Sequence, residues 1–138
     1  ASKPGETGKR WEIYVSSAQT LCFTIDDNVK ASRIQVALAP FSTGEWVHLT
    51  VVRDTAAKQL RFYANGVLLA PSVPEKSAGS KRSDRTGVDI TGSIANPQRL
   101  TIGDANSLDN PYPGDLDDLR LYRSALTEAQ IAELAAQK

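Results

Sequence analysis

Gly114-Asp115-Leu116-Asp117-Asp118-Leu119-Arg120-Leu121-Tyr122-Arg123-Ser124-Ala125-Leu126-Thr127-Glu128-Ala129-Gln130-Ile131 reads as a single unit. Its first part is an acidic stretch of β-forming character, expected as a final strand over residues 116–122. A short turn follows, and then a helix. Thr127 and Gln130 stand in capping-box spacing, with the Thr as N-cap and the Gln three residues on. Ile131 and Leu134 fall on one face of that helix.

Working backwards, the sequence alternates short β-type runs with turn formers. Strands are expected at 11–15, 20–25, 33–38, 46–53 and 60–64. Leu21, Phe23 and Ile25 share one face of the second, and Ile34, Val36 and Leu38 one face of the third. The run beginning Trp46-Val47-His48-Leu49-Thr50-Val51 is the longest. Val47, Leu49 and Val51 project to one side, and Trp46, His48, Thr50 and Val52 to the other, so Trp46 and His48 read as packing residues. Leu60 and Phe62 are expected in the core, with Arg61 and Tyr63 on the reverse face. Asn65-Gly66 between apolar runs marks a two-residue hairpin, because both central positions of that turn need φ > 0. Residues 71–97 are rich in Ser, Gly, Lys and Arg, with a short strand expected at 88–90. A further strand is expected at 99–103. Many short strands and one terminal helix point to an all-β sandwich.

A length of 138 residues suits one domain with a real core. Residues 1–10 are polar and read as a flexible N-terminal segment, leaving 11–138 as the domain. Sixteen basic and sixteen acidic residues cancel, which removes any broad electrostatic case for nucleic acid or an anionic membrane. The basic stretch of Lys76, Lys81, Arg82 and Arg85 has no interleaved aromatics and reads as a solvated loop. No run is long and apolar enough to span a membrane. Cys22 is the single cysteine, flanked by Leu21 and Phe23, and reads as a small hydrophobe.

The Gly114–Ile131 unit, Trp46–Val51 and Phe62-Tyr63-Ala64-Asn65-Gly66-Val67 occur in an order and spacing that resemble the laminin-G-like branch of the concanavalin A-like lectin/glucanase superfamily. The resemblance spans roughly residues 11–136. It implies a concanavalin A-like jelly-roll β-sandwich with a short C-terminal helix. It also implies a non-catalytic binding module for a glycan or protein surface, secreted or displayed on a bacterial cell surface. In the family pattern several strands precede the stretch that matches Trp11, so the chain is expected to be short at its N-terminus. Another chain or an upstream segment would then supply the missing strands, or residues 71–97 would compensate for them. An assembly domain completed in that way is the first alternative function.

A glycoside hydrolase is the second. Glucanases of the superfamily carry Glu-x-Asp-x-x-Glu on one strand. Here residues 115–120 read Asp-Leu-Asp-Asp-Leu-Arg, with Arg120 in place of the last acid, so no catalytic residue is assigned. Asp118 and Arg120 instead read as an ion pair.

Calcium is the cofactor the resemblance allows. Asp104, Asn106 and Asp109 crowd one loop just before Asp117 and Asp118, and together these five form the candidate metal set. Ca²⁺ collects about six to eight oxygen ligands from such groups, although Asn and Asp also populate loops because they support turns. Tyr112, flanked by Pro111 and Pro113, is the best-placed aromatic for stacking a sugar, with Asn106 and Asp109 as polar partners. His48, the single histidine, cannot build a zinc site without further ligands.

Overall fold

The computed structural model describes residues 8–16, 19–41, 44–72, 83–84, 87–90, 92–97, 100–103, 112 and 114–137. Its strands are β1 (Arg10–Val15), β2 (Thr20–Asp26), β3 (Ala31–Ala37), β4 (Leu49–Asp54), β5 (Gln59–Ala64), β6 (Val67–Leu68) and β7 (Ser83–Asp84), followed by helix α1 (Glu128–Ala136). They form two sheets, ordered β1-β2-β3-β7 and β4-β5-β6. All pairings are antiparallel except β3 with β7.

The first sheet follows from strict alternation. Leu21, Phe23 and Ile25 of β2 face the second sheet, in register with Val36, Ile34 and Ser32 of β3. From the second sheet Val51, Leu60 and Phe62 meet them, and these residues make the main core. Phe23 and Phe62 contact edge to face, 6.4 Å between ring centres. Burial of each such side chain stabilises the fold by about 1.5–3 kcal/mol.

The β2–β3 turn is set by two aspartates. The Asp26 carboxylate accepts from Asn28 N–H, and Asp27 accepts from the N–H groups of Val29 and Lys30, all at 2.8 Å. These backbone donors hold the Asp27 carboxyl below its ordinary range. Asn65 and Gly66 both have positive φ, 48° and 81°, as the β5–β6 hairpin requires.

The reverse face of the second sheet is also buried. Val52 and Tyr63 point away from the sandwich and pack with Ile131 of α1 and with Leu126. Thr127 caps the helix through the full reciprocal box with Gln130. The result is three layers: sheet, sheet, helix.

One flank of the sandwich is closed by residues 87–90 and 92. Leu60 N–H donates to Gly87 O and Gly87 N–H to Arg33 O, so a single glycine bridges the two sheets. Asp89 N–H donates to Lys58 O. The buried Asp89 carboxylate pairs with Arg53 Nε at 2.7 Å, and Arg53 Nη2 donates to Gly92 O at 2.7 Å.

Several expectations are corrected. The fourth strand begins at Leu49, and Trp46 lies before it, 62% exposed rather than packed. His48 is half-buried, its backbone held to Asn65 by paired hydrogen bonds of 2.8 and 3.0 Å. Val88 makes one bridge, to Gln59, and no strand forms at 88–90 because the chain there turns to link both sheets. Residues 100–103 join no ladder among the described residues. Residues 116–122 pair with no strand among the described residues, and Asp118 takes φ 50°, which interrupts the alternation a strand needs.

Candidate functional site

Of the candidate metal ligands, Asp104, Asn106 and Asp109 lie outside the described residues, as does the basic stretch of Lys76, Lys81, Arg82 and Arg85. Asp117 and Asp118 are described, and both are exposed. The Asp118 carboxylate is held in a two-pronged ion pair by Arg120, with Nη2 to Oδ2 at 2.7 Å and Nε to Oδ1 at 2.9 Å. This fork geometry uses both carboxylate oxygens. The Asp117 carboxylate accepts from the N–H of Asp118 at 2.8 Å. Among the described residues no three acids, histidines or cysteines are grouped to hold a metal.

Tyr112 is 46% exposed. Its ring lies against Gly114, where an added Cβ would come within 3.0 Å of Cε1. The glycine therefore leaves room for the ring to rest on the backbone.

The apolar margin is larger. Register places Trp11, Ile13 and Val15 of β1 opposite Ile25, Phe23 and Leu21, on the core face of the first sheet. They are nevertheless 38, 39 and 36% exposed. The narrower second sheet leaves them uncovered. Leu116, Leu119, Leu121 and Tyr122 add a second exposed set, each at least half in solvent. Each set groups large exposed apolar side chains within a few residues of one another, and such exposure suits contact with another molecule.

On the other face of β1 the chemistry is polar. The Arg33 guanidinium lies 5.6 Å from the centre of the Tyr14 ring and donates to Thr24 Oγ1 at 3.2 Å. Partial burial pushes the Tyr14 phenol above its usual range. Trp11 and Tyr14 face opposite sides, as their spacing requires. Cys22 lies beneath this polar face, fully buried. Sequence reasoning did not single out Ile13, Val15 or Arg33. The alternation Trp11-x-Ile13-x-Val15 was the available signal for the first two.

A cavity of about 240 Å³ opens beside β5, lined by Ile34, Leu60, Leu68, Leu69, Gly87 and Val88 among others. Its charged neighbour Arg61 is committed to Asp54 at 2.9 Å. Few polar groups are left there to orient a small ligand.

No curated protein sequence matches the chain. Among solved structures it is similar to an S-layer domain-containing protein (residues 221–444) from Clostridium thermocellum ATCC 27405, at 19% identity and a TM-score of 0.40. That alignment covers 96% of this chain and 59% of the other, so the chain spans well under two thirds of that structure. A laminin G model of the concanavalin A-like lectin/glucanases superfamily matches residues 1–132. With nearly the whole chain matched and two strand layers packed face to face, the chain belongs to the concanavalin A-like lectin/glucanases superfamily, in its laminin G-like branch.

Proposed function

We propose that this domain is a non-catalytic extracellular module that engages a protein surface through its apolar margin. Membership of the laminin G-like branch fits an extracellular binding or structural module. The observation that carries the choice of a protein surface is the exposed set Trp11, Ile13, Val15, Leu116, Leu119, Leu121 and Tyr122. Apolar side chains beside backbone that joins no strand among the described residues suit another polypeptide, which supplies both strand hydrogen bonds and side chains. A sugar would need convergent polar groups around an aromatic ring. A hydrolase would need two free carboxylates at a fixed separation, whereas Asp118 is committed to Arg120.

A photo-cross-linker placed at position 121, in cells that make the protein, tests this. Protein adducts that vanish when Leu119 is changed to Asp are expected. Saturable binding on a glycan array, lost in Tyr112→Ala and unaffected by Leu119→Asp, would overturn the reading. So would hydrolysis of a polysaccharide that Asp117→Ala abolishes.

A further inference from the structure

The β1 strand is the outer strand of its sheet, and among the described residues no strand pairs with its far edge. Natural proteins blunt such edges with a proline, a bulge or an inward-pointing charge. None of these is present along β1 itself, although just ahead of it the Asn96 side-chain amide donates to Lys9 O at 2.8 Å. The six pairs with β2 run without a bulge. The strand Arg10-Trp11-Glu12-Ile13-Tyr14-Val15 contains no proline, and its inward positions are all apolar.

The strand is also self-complementary, which a two-fold contact demands. In an antiparallel pair of identical strands centred on Ile13, Ile13 meets its own copy, and Trp11 meets Val15 in both directions. Every inward position is then matched by an apolar partner. On the other face Glu12 comes opposite Tyr14, and Arg10 opposite Ser16. Centring on Glu12 instead places two like carboxylates directly opposite and sets Val15 against Lys9. Centring on Tyr14 leaves Trp11 without a partner inside the strand. A shift of half a step puts the apolar face of one copy beside the polar face of the other.

The charges agree with the Ile13 register. Each Glu12 is balanced by Arg10 on its own strand at 3.6 Å. Across the seam it faces Tyr14, whose ring carries the Arg33 guanidinium. The chain as a whole has a formal net charge of zero, so no long-range repulsion opposes self-association.

We propose that the free edge of β1 is a docking site for β1 of a second copy, antiparallel and centred on Ile13, joining the two larger sheets into one. This rests on the reading of the domain as a module that engages protein surfaces. It specifies a partner and a register. The seam extends the apolar row Trp11-Ile13-Val15 across both copies and covers the edge of each.

Sedimentation of the intact chain over a range of concentrations, with cysteine cross-linking, tests the proposal. The wild type should dimerise. Ile13→Lys, which places two unpaired ammonium groups at the seam, should weaken association by about 100-fold or more with an unchanged circular dichroism spectrum. Ile13→Cys should give a covalent dimer under mild oxidation, against a low background from the fully buried Cys22. Trp11→Cys alone should not, whereas a mixture of Trp11→Cys and Val15→Cys chains should form a mixed disulfide. The cross-links decide the matter even if Ile13→Lys fails to fold. A dimer in which Ile13→Cys reacts no faster than wild type would overturn the proposed seam. A monomer at every concentration that still gives protein adducts from position 121 would remove the second copy and leave the broader reading standing. A monomer without adducts would remove both.

Discussion

Gly66 sits directly on Ala132: a Cβ at Gly66 would come within 3.0 Å of the Ala132 Cα and 3.4 Å of the Ala135 Cβ. The tip of the β5–β6 hairpin is therefore the seat of the C-terminal helix. Gly66 serves twice, because its φ of 81° is one that side chains resist. Gly66→Ala should cost about 1–3 kcal/mol, from backbone strain and from pushing the helix outward. Chemical denaturation measures it. A loss no larger than that of a surface substitution would mean that the hairpin and helix are not in contact.

The helix is held at its start and by one buried face. Thr127→Ala removes an acceptor for the Gln130 N–H and should cost about 1 kcal/mol. Ile131 is fully buried against Val52 and Tyr63, so Ile131→Ala should cost about 2–4 kcal/mol. Truncation before Thr127 should cost more than either, because it bares Val52 and Tyr63 together. Equal melting temperatures for the truncated and intact chains would detach the helix from the domain.

Arg53 and Asp89 fasten the segment that links the two sheets. The Asp89 side chain is wholly buried, and Arg53 also holds Gly92 O. Arg53→Ala leaves a buried carboxylate without its partner and should cost about 3–5 kcal/mol. Arg53→Ala with Asp89→Asn should recover part of that loss, since no charge is then left stranded. Hydrogen exchange would show the effect first at the amides of Leu60 and Gly87, which make the bridging bonds.

What the sequence made legible was local. The alternation in β2, the Asn65-Gly66 turn and the Thr127–Gln130 box each rest on neighbours within a few positions, and each forms as expected. The Arg53–Asp89 pair joins residues 36 apart, with no pattern to announce it. Residues 116–122 carry β-type composition, yet a strand needs a neighbouring strand, and composition does not supply one. The same limit explains Trp46: the β-type run extends further than the ladder it can enter. Of the candidate site, the Asp118–Arg120 pair was readable from its spacing. The exposed face of β1 was not, because exposure depends on how wide the opposing sheet is.

A calcium site that includes Asp117 and Asp118 has to compete with Arg120, which occupies both Asp118 oxygens. Releasing them should strengthen any such site, so Arg120→Ala should show a larger rise in melting temperature with millimolar Ca²⁺ than wild type does. Identical melts in Ca²⁺ and in EDTA, for both proteins, would remove Asp117 and Asp118 from any metal site.

The exposed leucines distinguish a surface kept for a partner from one needed for folding. Leu119 and Leu121 are 63 and 66% exposed, so in the isolated domain they contribute little burial. Leu119→Asp and Leu121→Asp should change stability by no more than about 0.5 kcal/mol each, as surface substitutions usually do. Leu60→Asp, by contrast, should unfold the chain, since Leu60 is 3% exposed in the main core. The same two surface changes should sharply reduce binding of an apolar dye and should raise solubility, because they break up the exposed patch. If they destabilise the domain as strongly as a core change, residues 116–122 pack inward and the apolar margin is smaller than proposed. Retained stability with lost dye binding is the outcome expected of a surface held open for another chain.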